Sequence, residues 1–204
     1  MQKFKTHLLI LLTIINLVLS SASVILPVTG ESNSLSSFKQ ISEFSTLAKN
    51  SNSSHLTKVT FGDQVSLAVV QQPDGNAAYV STEKGKVTQF SMAAQYGSIG
   101  LVAHNTLAGK YFNGLSDGDK ITLIYGDGTR VNYKVTDIYR YQAVSPTSPY
   151  SDFVDPENAK NTLSVETVFN SIYSENGRLV LQTCISKGKV ESWGRLFVVA
   201  EPTY

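Results

Sequence analysis

Lys120-Ile121-Thr122-Leu123-Ile124-Tyr125-Gly126-Asp127-Gly128-Thr129-Arg130-Val131-Asn132-Tyr133-Lys134-Val135 is the stretch that decides the fold class. Two runs of strand-formers, Lys120–Tyr125 and Thr129–Tyr141, flank a Gly-Asp-Gly turn, which is a strong hairpin signal. Upstream, Val59–Gln71 carries Val65, Leu67, Val69 and Val70 and ends at the turn Gln72-Pro73-Asp74-Gly75. Ile99–Ala103 is a short apolar run, and Arg178–Ile185 and Arg195–Ala200 are the last strand candidates. One helix stands out between the hairpin and these strands, with Val165, Val168, Phe169 and Ile172 at i, i+3, i+4 and i+7. Glu175-Asn176-Gly177 closes it. Many short strands with one or two short helices indicate a mostly β domain, a barrel or sandwich.

The chain has 204 residues, 42% hydrophobic and 16% charged, enough for one domain with a proper core. A net charge of +1 without any Lys/Arg stripe excludes bulk nucleic-acid binding. Lys3 and Lys5 precede the apolar run Leu8–Leu19 and the small residues Ser20–Ser23, the pattern of a secretory signal peptide. Residues 1–25 are therefore read as a signal peptide or, if uncleaved, a membrane anchor. Residues 26–57 form a Ser/Asn-rich flexible spacer, in which Leu35, Phe38, Ile41 and Phe44 recur at near-helical spacing. Residues 58–204 form the folded domain.

Cys184 is the only cysteine, so an exported chain could not close an internal disulfide with it. A lone thiol is either a small buried hydrophobe or a group kept for chemistry. A thiol is mostly protonated near neutral pH and needs a basic or cationic neighbour to become a useful nucleophile. His7 lies in the signal and His55 in the spacer, leaving His104, directly after Gly100-Leu101-Val102-Ala103. Attack on an amide also requires donors aimed at the developing oxyanion. Arg195 opens the final strand; parity places Leu196, Val198 and Ala200 toward the core, and Arg195 and Phe197 on the other face. Spacing alone does not select Arg195 over Arg130, Arg140 or Arg178.

The order His104, Cys184, Arg195 resembles the sortase family of bacterial cysteine transpeptidases. Val180-Leu181-Gln182-Thr183-Cys184 is similar to the family's Thr-Leu-x-Thr-Cys motif at every fixed position but the first. Val102-Ala103-His104 is similar to its Ala-Gly-His, with both preceding residues altered, and Arg195-Leu196-Phe197-Val198-Val199 resembles its arginine strand. Gly114–Ile121 and Tyr133–Val135 resemble the segment after the family's histidine, so the likeness covers Val59–Pro202. It implies a single eight-stranded β-barrel and two-step acyl transfer. Cys184 would attack the Thr–Gly amide of a Leu-Pro-x-Thr-Gly-like sorting signal. His104 would protonate the leaving amine and later deprotonate the incoming one. Arg195 would bind the oxyanion or substrate backbone. Thr183, Ala103 and Trp193 would border the substrate, with Trp193 and Lys187–Lys189 in the loop between the last two strands. The implied partners are surface proteins bearing a sorting signal and an amine such as a peptidoglycan stem peptide or a pilin lysine. The implied place is the cell envelope or beyond. Val180 in place of Thr and Ala103 in place of Gly remove no catalytic group.

Leu26-Pro27-Val28-Thr29-Gly30 matches that sorting signal letter for letter. At average residue usage a chance match in a chain this long is on the order of one in a few hundred. It lies after the apolar segment, the reverse of the order in family substrates. Two expectations follow: the string occupies its own groove, or it is cut at Thr29–Gly30. Tyr139, Tyr141, Tyr150 and Phe153, around Ser145-Pro146-Thr147-Ser148-Pro149, either join a groove or simply pack. Calcium is the one metal the resemblance raises; Asp117, Asp119, Asp127 and Asp137 lack the dense ligand spacing of a calcium loop, so no cofactor is expected. Two rivals share the fold reading: a thiol endopeptidase that passes the acyl group to water, and a secreted β-barrel binding module with an inert Cys184. The Ser-His-Gly-Cys motif of L,D-transpeptidases is absent.

Overall fold

The computed structural model describes residues 55–204. Eight strands close a barrel: β1 (Leu56–Phe61), β2 (Val65–Gln71), β3 (Lys86–Phe90), β4 (Ile99–Ala103), β5 (Lys120–Tyr125), β6 (Arg130–Gln142), β9 (Leu179–Lys187) and β10 (Val190–Thr203). Their order around the wall is β1-β2-β3-β4-β9-β10-β6-β5, and β5 pairs back onto β1. Most neighbours are antiparallel, but β2/β3 and β4/β9 run parallel. β7 (Phe153–Val154) and β8 (Thr162–Leu163) form a small separate pair. Three short helices complete the fold: a 3-10 helix (Ser91–Tyr96), α1 (Gly109–Phe112) and α2 (Val165–Tyr173).

The eight-stranded barrel is the expected one, and the Gly126-Asp127-Gly128 hairpin joins β5 to β6 as predicted, with Gly128 at φ 87°. Five details differ. The run Val59–Gln71 is two antiparallel strands, because Gly62 at φ 54° turns the chain back on itself. β3 was not foreseen: Lys86-Val87-Thr88-Gln89-Phe90 is short and half polar, and it becomes a strand by pairing with both β2 and β4. The described residues hold three helices, against the one or two expected, two of them short, of six and four residues. The connection Ser186–Gly194 is largely strand, with Gly188 at φ 60° making the tight turn between β9 and β10. β1 starts at Leu56, two residues ahead of the expected domain edge. The signal or anchor and nearly all of the spacer lie outside the described residues.

Period-2 alternation gives the barrel wall two working faces. Leu179, Leu181, Leu196, Val198 and Ala200 point inward, into an aliphatic core shared with Val59, Leu101, Ile121 and Leu123. Val180, Phe197 and Val199 point outward and are covered by α2 through Val168, Phe169, Ile172 and Tyr173. α2 forms because Ser164 caps it, its Oγ accepting from the Thr167 N–H at 3.1 Å, while Asp152 accepts from the Val165 N–H at 3.0 Å. Its apolar stripe then has only the outer wall to bury against.

Candidate active site

Cys184, His104 and Arg195 come from three adjacent strands. In the wall, Arg195 is the direct cross-strand partner of Cys184, and Ala103 is the partner of Thr183 on the other side. His104, one residue beyond Ala103, therefore emerges next to Cys184. Parity places all three on the outer face: Cys184 alternates with Leu181 and Thr183, Arg195 with Leu196, and His104 with the inward Ala103. Sequence parity predicted this side for Arg195.

Local bonds fix the end of β4. Thr183 Oγ1 donates to the Ala103 carbonyl at 2.8 Å, clamping the last pair of the parallel ladder. The His104 carbonyl then accepts from the Leu107 and Gly109 N–H groups at 3.0 and 2.9 Å, so the chain folds back immediately after the imidazole. Gly109 is required at this close approach: a Cβ there would run into Thr183 Oγ1 and the His104 carbonyl. Asn105 Nδ2 donates to the Glu191 carbonyl at 2.9 Å and ties the turn to the β9–β10 arm.

Arg195 is buried, and its guanidinium is anchored by main-chain carbonyls. Nη1 donates to Ser192 and Gly194, both at 3.1 Å, and Nη2 donates to Pro146 at 3.2 Å and Ser148 at 3.0 Å. Four of the five N–H donors are thus engaged, leaving Nε–H without a protein acceptor among the described residues. These bonds fasten the 146–148 loop onto the barrel and so bring Pro149 and Tyr150 to the site.

Cys184, half-buried, and His104, exposed, open with Arg195 into one cavity of about 340 Å³. Thr183 and Ala103 line it, as expected. Its remaining walls come from the 72–80 connection, the 3-10 helix, α2 and the 149–150 loop, and they are mostly apolar. Gln182, two residues before Cys184 on the same face, lines the cavity and accepts from the Tyr173 hydroxyl at 2.9 Å. Burial holds the Tyr173 phenol far above its ordinary range, so it remains a neutral donor. Glu166, in the first turn of α2, is the one carboxylate on the cavity wall among the described residues.

Sequence reasoning missed Gln182, Glu166 and Gly109; parity with Cys184 could have found the first. Tyr150 joins the cavity, while Phe153 packs in the outer core and Tyr139 stacks on Tyr141. Trp193 does not line the cavity: it lies in β10, with the Lys187 ammonium 4.7 Å from its ring centroid. The expectation that Trp193 and Lys187 occupy a loop is corrected accordingly: Lys187 ends β9 and pairs with Val190, and Trp193 lies within β10, where the register shifts between Val190 and Gly194. Leu26–Gly30 lie outside the described residues. Among the described residues, no group of three or more His, Cys, Asp or Glu side chains is gathered to hold a metal.

The Sortase domain model matches residues 60–203 of this chain, well over half of it. No curated protein matches. Several solved structures are similar. Sortase C-1 from Actinomyces oris is 19% identical over 72% of this chain and 71% of that one, with a TM-score of 0.47. Sortase A from Corynebacterium diphtheriae is 15% identical over 73% and 60%, with a TM-score of 0.47. Sortase C from Clostridium perfringens SM101 is 16% identical over 82% and 87%, with a TM-score of 0.45.

Proposed function

The chain belongs to the sortase family of extracytoplasmic cysteine transpeptidases, and from that premise we propose that it cuts a Leu-Pro-x-Thr-Gly-like signal between Thr and Gly and passes the acyl group to a cell-surface amine. The observation that carries the reading is the single row His104, Cys184, Arg195 at the mouth of an apolar cavity.

In the first step Cys184 Sγ attacks the Thr carbonyl carbon. The C–N bond to Gly breaks, and His104 gives the departing nitrogen its proton. A thioester remains on Cys184. In the second step an amine attacks the thioester, His104 takes its proton, and the thiolate leaves. The apolar walls suit the Leu and Pro side chains, and Gln182, held by Tyr173, offers an amide to the substrate backbone. Arg195 acts in two ways in this scheme. It holds the 146–148 loop against the site, and its Nε–H is the donor left to stabilise the oxyanion. The partners are surface proteins carrying the signal, and the N-terminal apolar segment serves as an export signal or, if uncleaved, as a membrane anchor.

Mass spectrometry of the full chain with a Leu-Pro-Val-Thr-Gly peptide and a panel of amines, beside Cys184→Ala, tests this. Thr–Gly cleavage with an amine adduct, absent in the variant, is expected. Cleavage without adduct makes the protein an endopeptidase. No turnover together with an unreactive thiol overturns the enzymatic reading.

A further inference from the structure

We infer that Glu166 and Tyr150 form a cation-selecting subsite on the donor side of the cavity, which favours a lysine or arginine at the undefined position of the sorting signal. The inference rests on the transpeptidase reading above and adds a specificity element to that same site. Three observations carry it.

The first is a carboxylate whose structural tasks are filled by other groups. Glu166 is exposed and lines the cavity from the first turn of α2. That turn is capped without it. Ser164 Oγ accepts from the Thr167 N–H and shares a hydrogen bond of 2.8 Å with the Thr167 hydroxyl, while Asp152 Oδ1 accepts from the Val165 N–H. Glu166 stands one position short of the place from which a capping-box Glu reaches back to the cap. Ion pairs among the described residues join Lys86 to Glu83, and Arg178 to Glu175 and Glu201; none engages Glu166. Arg195, on the same cavity wall, gives its Nη donors to main-chain carbonyls and none to this acid.

The second is an exposed ring on a fixed support. Tyr150 lines the same cavity although it is 67% exposed. Its backbone is nonetheless held: its N–H donates to Ser148 Oγ at 3.2 Å, the Ser148 carbonyl accepts from Arg195, and Ser151 Oγ accepts from the Ser145 N–H at 2.8 Å. The ring is thus presented to a ligand at little ordering cost. An aromatic face and a carboxylate in one cavity are two groups that attract a cation, the first through its quadrupole and the second through its charge.

The third is position. Asp152 links the 145–151 loop to the start of α2, because its carbonyl accepts from the Val144 N–H at 2.9 Å while its side chain holds Val165. Arg195 fastens the same loop, so Tyr150 and Glu166 belong to the β10 flank of Cys184. His104 stands on the opposite flank, at the end of β4. An acceptor amine must meet His104 to lose its proton, so it comes in from the β4 side, and an acid on the β10 side faces the acyl donor. Within that donor, Leu and Pro take the apolar walls and Thr goes to the thiol. The undefined residue between Pro and Thr is the one left to supply a cation.

The test compares the full chain with Glu166→Gln, Glu166→Lys and Tyr150→Leu on Leu-Pro-Lys-Thr-Gly, Leu-Pro-Gln-Thr-Gly and Leu-Pro-Glu-Thr-Gly peptides, with one fixed amine. For the full chain, kcat/KM should rank Lys over Gln over Glu. Glu166→Gln should shrink the Lys-to-Gln ratio about three- to tenfold, through KM, and Tyr150→Leu about two- to fivefold. Glu166→Lys should reverse the ranking. A Glu166→Gln loss shared equally by all three peptides would leave the residue only its effect on the helix dipole, and the inference would be overturned. A donor ratio that holds while the KM of the amine moves would put the cation on the acceptor, and the inference would again be wrong. The same peptides, fluorescently labelled, are titrated onto Cys184→Ala and onto Cys184→Ala/Glu166→Gln. If no peptide is turned over, the transpeptidase reading falls and these titrations decide the inference alone. A preference for the Lys peptide that the double variant loses supports it; equal or unmeasurable binding of all three overturns it.

Discussion

The inner and outer faces of the β4–β9–β10 wall are written by the same three strands yet are built differently. Inward, Leu179, Leu181, Leu196 and Val198 share one core with the mainly aliphatic side chains of the other strands and with the rings of Phe61, Phe112 and Tyr133, and the space is closed. Outward, a cluster of rings around Phe197, with Tyr173, Phe169, Phe153 and Tyr141 all edge-on to it, covers only part of the wall. Past the edge of that cluster lie Gln182, Cys184, Arg195 and His104. Close-packed aliphatic layers make a rigid frame, and large rings propped on one side leave a cavity. The difference teaches that one residue of parity separates a stability position from a chemical one.

The sharpest way to break that contrast is at neighbouring positions of β9. Cys184→Ala should reduce peptide cleavage by at least about a thousandfold, because the nucleophile itself is gone. It should leave the thermal midpoint nearly unchanged. Leu181→Ala, three residues earlier on the inner face, should do the reverse. Truncating a fully buried Leu costs about 2–5 kcal/mol, visible in urea unfolding, while the surviving folded protein keeps its specific activity. A Cys184→Ala variant that loses several kcal/mol of stability would show that the thiol is a packing residue after all.

Arg195 sits at the seam, buried like the inner residues but facing outward. Arg195→Ala would strand four carbonyls and release the 146–148 loop. We expect kcat/KM to fall on the order of a hundred- to a thousandfold, with faster proteolysis in the Ser145–Tyr150 segment. Arg195→Lys keeps the charge but cannot form the fork of four bonds, so loop cleavage should remain fast even if some turnover returns. Loop protection by Lys equal to that of Arg would reduce the guanidinium's role to charge alone.

A smaller effect is expected at Gly109. Gly109→Ala pushes on Thr183 and on the His104 carbonyl from a position outside the cavity lining. The imidazole would shift while the thiol stays in place. Activity should drop about tenfold, on the scale of a misplaced catalytic group, with the rate of Cys184 alkylation little altered. An equal loss in both assays would mean that the whole wall moves.

Much of this was readable before any coordinates. The hairpin at Gly126-Asp127-Gly128 and the parity of Arg195 against Leu196 are local signals, and short-range rules suffice for them; the grouping of His104, Cys184 and Arg195 came from the resemblance to a family and not from spacing. The fastening of Arg195 to Pro146 and Ser148 spans nearly fifty residues of sequence, and nothing in either segment alone announces it. β3 was missed for the same reason: its five residues are a strand only because β2 and β4 lie beside it. Trp193 was expected in a loop because the residues between the Cys184 and Arg195 strands were read as one connection. Of the two glycines there, Gly188 makes the turn, while Gly194 lies within β10, where a Cβ would run into the Tyr141 carbonyl.

The gentlest test of the two faces uses pH, since each face buries a tyrosine. Tyr133, in the inner core, has its phenol pushed up to about 12 from 10.0, chiefly by burial and secondarily by Tyr125. Tyr173, in the outer core, is raised further in the same direction by burial. For both, the unfolded chain ionises near pH 10 while the folded chain holds its proton. Below pH 10 the two states bind equal numbers of protons and stability is flat on this account. Above it the unfolded state loses protons first, and stability falls. The thermal midpoint should therefore decline above about pH 10, and Tyr133→Phe should make that decline shallower without touching activity at neutral pH. Tyr173→Phe should flatten the same decline but also free Gln182 from its hydroxyl partner, raising KM for the peptide by a few-fold, the worth of one hydrogen bond. If KM responds to Tyr133→Phe as strongly as to Tyr173→Phe, the two faces do not act separately.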